Sequence, residues 1–121
     1  MPFTSEKINR LNDCLQSAGQ IVITAHKSPD GDSVGSSLAL YHYLIQEHDN
    51  VIICHPDKAP DFLHWMKGYD QIQTWEENRE EVTRAMNDAD VIFCLDYNAP
   101  GRIGQMDPLL GRAKATKVMI D

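Results

Sequence analysis

The residues most suited to chemistry stand together in His26-Lys27-Ser28-Pro29-Asp30-Gly31-Asp32, an imidazole and two carboxylates on one short turn. Neutral imidazole nitrogen combined with carboxylate oxygen suits divalent transition ions such as Mn, Fe or Zn, and Pro-Asp-Gly is a turn signal that can fold the ligands toward one point. A metal site is the chemistry this spacing indicates. A calcium EF-hand fits poorly: with Asp30 at the first loop position the fifth is Val34 and the twelfth Tyr41, neither a ligand of the usual kind. The glycines and serines from Gly31 to Ser37 match neither Gly-x-x-x-x-Gly-Lys nor Gly-x-Gly-x-x-Gly, which disfavours a P-loop or a dinucleotide fingerprint.

The elements around the turn must position it. Gln20-Ile21-Val22-Ile23-Thr24-Ala25 is β-branched and apolar at consecutive positions, the pattern of a buried parallel strand, and His26 follows it directly. Ser33 to Glu47 carries Val34, Leu38, Tyr41 and Ile45 on one stripe, widened by Leu40 and Leu44, and reads as a helix. Val51 to Cys54, Val91 to Leu95 and Lys117 to Ile120 read as further strands, with Gln71 to Thr74 a weaker one. Helices are expected over Thr4 to Ala18, over Glu76 to Asp88 on a seam of Val82 and Met86, and briefly near Asp107 to Ala113.

Alternating helix and buried strand implies an α/β fold, a mainly parallel sheet with helices on both faces. In such sheets ligands bind beyond the carboxyl ends of the strands. His26, Asp96 and Asp121 each come directly after the last apolar residue of an expected strand, so the architecture would gather them with Asp30 and Asp32 at one edge. Asp96 opens a loop that reaches Arg102, whose guanidinium could meet a substrate phosphate as a bidentate donor.

Composition narrows the partners. With 18 acidic against 11 basic residues and a formal charge of -7, the chain has no broad basic face for duplex nucleic acid. Anionic substrates remain compatible, because bound divalent cations would reverse the sign of a carboxylate site. No apolar stretch approaches the roughly 18 residues of a membrane helix, and no membrane partner is expected. The N-terminus lacks a secretory apolar segment and the three cysteines are widely spaced, which together suggest the cytoplasm. Cys54 and Cys94 read as small buried hydrophobes. His42, His48, His55 and His64 read as surface or packing residues, and Phe62, Trp65 and Trp75 as core aromatics.

The stretch from Ile21 to Ser36 resembles the first motif of the DHH phosphoesterases, a strand followed by His-x-x-x-Asp-x-Asp and a small-residue helix. Asp96 after Val91 to Leu95, with Arg102-Ile103-Gly104 downstream, is similar to their second motif, and Val118-Met119-Ile120-Asp121 looks like the run into Asp-His-His. The oligoribonuclease and 3'-phosphoadenosine-5'-phosphate phosphatase branch is the most similar. The resemblance implies a DHH-type N-terminal domain in which His26 and Asp30 hold one Mn2+, Asp32 holds a second and Asp96 bridges them, with Asp121 just behind these ligands. Mg2+ or Co2+ could replace Mn2+. Residues 1–121 would then form an incomplete catalytic domain that ends at the aspartate of the third motif, with a C-terminal substrate-binding domain beyond it. Homodimerisation of the full-length protein is compatible with this reading.

The function implied is two-metal phosphoester hydrolysis, with ions about 3.5 to 4 Å apart clamping the phosphate and lowering the pKa of an attacking water. Asp32 and Asp96 would be the catalytic carboxylates. Short RNA or a phosphorylated nucleotide such as adenosine bisphosphate would be the substrate, and cyclic-dinucleotide products or polyphosphate would also suit. Two other classes compete: a receiver-like domain with Asp96 as phosphoacceptor and one Mg2+, and a nucleotide-binding module without turnover.

Overall fold

Runs that are apolar at every position cannot face water on either side, and here they form the centre of one parallel sheet. The computed structural model describes residues 13, 19–25, 31–58, 61–95 and 107–120. Its strands are β1 (Ile21–Ala25), β2 (Val51–His55), β3 (Ile72–Thr74), β4 (Val91–Leu95) and β5 (Thr116–Ile120), in the spatial order β3-β2-β1-β4-β5. Every pairing is parallel. All five residues of β1 and of β4 are buried.

Strand alternation assigns each side chain to a layer. Ile21, Ile23, Val51, Ile53, Val91, Phe93 and Leu95 share a cluster with Val34, Leu38 and Leu44 of helix α1 (Gly31–Leu44). Val22, Cys54, Ile92 and Cys94 pack instead with Val82, Ala85 and Met86 of α2 (Arg79–Asp88) and with Leu109 and Leu110 of α3 (Asp107–Arg112). Helices therefore cover both faces, as the alternating sequence pattern implies.

Several boundaries differ from the sequence reading for local reasons. Helix α1 begins two residues before Ser33 and ends at Leu44, so Ile45 leaves the stripe and is 42% exposed. Ser37 takes a place on the buried face. Helix α2 begins at Arg79 because the preceding residues close a turn: the Glu77 amide donates to Thr74 Oγ1 at 3.2 Å and the Asn78 amide to the Thr74 carbonyl at 2.7 Å. Of the helix expected over Thr4 to Ala18 only Asp13 is described, and it is helical.

Between β2 and β3 the chain makes two single turns of 3-10 helix, Asp61–Leu63 and Tyr69–Gln71. Gly68 stands between them at φ +91°, where a side chain would be strained and its Cβ would come within 3.1 Å of His42 Nε2. His42 Nε2 donates to the Lys67 carbonyl at 2.9 Å, tying this segment to α1. Trp65 is 77% exposed, contrary to the expectation of a core aromatic, whereas Trp75 packs half-buried against the α2 layer.

The opposite, amino edge is joined by Asp90. Its carboxylate accepts the amides of Gly19 at 2.7 Å and Gln20 at 3.0 Å, its own amide donates to the Gln20 carbonyl at 2.9 Å, and its carbonyl accepts the Thr116 amide at 3.0 Å. The starts of β1, β4 and β5 are thereby linked through one residue. In the core between these edges, Phe93→Ala should lower unfolding free energy by about 3 to 5 kcal/mol, since it removes a fully buried ring from the central sheet. Chemical denaturation followed by circular dichroism measures this loss.

Candidate functional site at the carboxyl edge of the sheet

The ladder registers place Thr24 opposite Cys54, His55 opposite Thr74, Ala25 opposite Leu95 and Leu95 opposite Ile120. Each of these five strands consequently ends on the same row: Ala25, His55, Thr74, Leu95 and Ile120. From β1 the chain runs outward to β2 and β3 and then returns to the other side of β1 as β4 and β5. The direction of winding changes between β1 and β4, which is where open α/β sheets bind ligands. Ala25 and Leu95 face each other there, about 5 Å apart across the ladder.

The residues that follow this row in the sequence are His26 after β1, Asp96 after β4 and Asp121 after β5. These three, with Asp30 and Arg102, lie outside the described residues. Asp32 is described in its backbone, as the second residue of α1. Among the described residues no group of three or more His, Cys, Asp or Glu side chains is arranged to hold a metal.

Two buried polar contacts stabilise the edge from within. Thr24 Oγ1 donates to the Phe93 carbonyl at 2.8 Å, clipping β1 to β4 just below the row. On the α1 side, His55 Nε2 and Ser37 Oγ are hydrogen-bonded at 2.9 Å, and both residues are 0% exposed. The sequence reading ends β2 at Cys54 and groups His55 with surface and packing histidines. The signal that could have found it is parity, because Val51, Ile53 and His55 alternate onto one face.

Residues 20–121 match the sequence model of the DHH family, N-terminal domain. The chain belongs to the DHH family. Among solved structures it is similar to the crystal structure of an exopolyphosphatase-related protein from Bacteroides fragilis, at 39% identity and a TM-score of 0.95. The alignment covers 98% of this chain and 35% of that one, so the chain spans about a third of that protein's length. No curated protein gives a significant match.

For this DHH domain the receiver-like reading loses its basis. Receiver domains follow the order 2-1-3-4-5, whereas here β3 lies outside β2 and β4 is the neighbour of β1.

A cleft of about 250 Å³ opens on the same edge, over the carboxyl ends of β2 and β3. Four of its polar side chains pair: Lys58 Nζ lies 3.3 Å from Asp61 Oδ1, and His64 Nε2 donates to Asp70 Oδ1 at 2.7 Å. The hydrogen bond and charge of Asp61, aided by Glu77, hold the Lys58 ammonium above its ordinary pKa. Burial pushes the Tyr69 phenol up, with Lys58 opposing. All four paired groups are largely exposed, so water screens both contacts.

Cys54 and Cys94 flank Thr24 on either side, buried as the sequence implies. Burial pushes the Cys54 thiol up to about 12, which leaves negligible thiolate at neutral pH and no nucleophile. Iodoacetamide at pH 8 should therefore leave Cys54 unmodified in the native protein and alkylate it after denaturation, as read by peptide mass spectrometry.

Proposed function

We propose that this DHH domain is the catalytic portion of a Mn2+-dependent phosphoesterase that hydrolyses short oligoribonucleotides or 3',5'-bisphosphate nucleotides in the cytoplasm. The observation that carries the reading is the change of winding direction at the carboxyl edge. Ala25 and Leu95 are register partners there, and the chain continues from them into His26 and Asp96, while Asp32 stands in the first turn of α1. Family membership supports phosphoester chemistry at that place.

The donor set suits two dications. His26 contributes a nitrogen that favours Mn2+ over Mg2+, and Asp30, Asp32 and Asp96 contribute carboxylates whose charge two such ions exceed, leaving a positive centre for phosphate. His26 and Asp30 would hold one ion, Asp32 the other and Asp96 both. When bound, the ions supply Lewis-acid polarisation of the phosphate and a lowered pKa for the attacking water. Arg102 orients the phosphate through two parallel N–H donors. Asp121 steadies the ligands from behind, and Thr24 keeps β1 and β4 at fixed separation beneath them.

The Bacteroides fragilis neighbour favours a second substrate, since it is described as exopolyphosphatase-related. Inorganic polyphosphate is therefore an arm of the test. In the full-length protein, Mn2+ should support release of mononucleotides from a short RNA and of phosphate from 3'-phosphoadenosine-5'-phosphate, and chelation should abolish both. Asp96→Ala and Asp32→Asn should each lower kcat by at least about 100-fold. Unchanged hydrolysis in both variants would sink the assignment, and turnover of polyphosphate alone would replace the nucleotide substrates with the second reading.

A further inference from the structure

We infer that Ser37 and His55 are positioning residues for the metal centre: their buried hydrogen bond sets the height of α1, and hence of Asp32, against the carboxyl row of the sheet. This rests on the function proposed above. His55 is the last residue of β2 and belongs to the terminal row, one strand from the point where β1 leads into His26. Ser37 lies on the buried face of α1, five residues beyond Asp32 and so about 7.5 Å further along the helix axis. The bond between them is 2.9 Å long and fully buried.

Among the described residues, the buried side chains of α1 that cluster with the sheet, Val34, Leu38 and Leu44, are apolar. Apolar packing is strong but not directional, and it tolerates small displacements of a helix along its axis. A hydrogen bond is directional and short, so it fixes that coordinate. A dry polar pair is also a weak means of stabilising a core, because desolvation offsets most of its gain. Metal ligands need the opposite quality, since they must be held to within about half an ångström. The Ser37–His55 bond is placed where such a constraint matters, between the helix that carries Asp32 and the row that His26 leaves.

The test is Mn2+ binding by the full-length protein, measured by calorimetry and by the electron paramagnetic resonance signal of free Mn2+. Ser37→Ala removes the hydroxyl with little change of volume. Ser37→Ala combined with His55→Leu replaces both residues by apolar groups, so no half of their hydrogen bond remains. Both variants should melt cooperatively in chelator while their Kd for Mn2+ rises about 10- to 100-fold, the usual effect of losing a residue that orients ligands. Affinity within twofold of the parent in both variants would overturn the inference. So would loss of cooperative melting in both, which would make the pair a structural element instead. Failure of the underlying reading looks different: the parent itself would bind no Mn2+ and Asp32→Asn would not change it, and the inference would fall with that reading.

Discussion

A backbone inside a two-sided core must satisfy its amides and carbonyls within the ladder and can carry almost no charge, and every other feature of this domain answers to that restriction. It explains why β1 and β4 carry no charged side chain and why the Thr24 hydroxyl within β1 is hydrogen-bonded to the Phe93 carbonyl. The interior therefore leaves charged side chains to the edges and surfaces of the sheet. Parallel pairing adds direction, since all five carboxyl ends face the same way.

Among the described residues, α1 packs on β1, β2 and β4 on one side of the sheet, whereas α2 and α3 share the other. Helix α1 is also the element whose second residue is Asp32, so its packing on the sheet fixes where the backbone of that residue stands. By contrast the segment between β2 and β3, with Gly68 in the left-handed region and Trp65 in solvent, is anchored by Leu63 in the α1-side core and by the bond from His42 to Lys67.

Much of this was legible in the sequence because buried parallel strands leave a simple trace. Val91 to Leu95 was readable to the residue, and Ile21 to Ala25 within one. The boundaries that moved did so where a side chain captured the backbone. Thr74 accepts the Glu77 amide and delays α2, a competition that charge pattern and periodicity do not report. His55 escaped because an imidazole after an apolar run reads as loop, although it completes β2 and is buried by a partner 18 residues earlier. For the proposed site the sequence offers His26, Asp30, Asp32 and Asp96, while the fold contributes what a linear pattern cannot carry: the register that makes Ala25 and Leu95 neighbours.

Asp90 lends the opposite edge a meaning beyond its hydrogen bonds. By tying the starts of β1, β4 and β5 together it provides a common baseline, and β1, β2, β4 and β5 are each five residues long. Equal lengths drawn from one baseline end level, so the flush row is a measured distance rather than a separate agreement among loops. Strand length in this domain is thus a ruler for the site: one residue added to β4 would advance Asp96 by about 3.3 Å past its neighbours and turn it to the other face of the sheet.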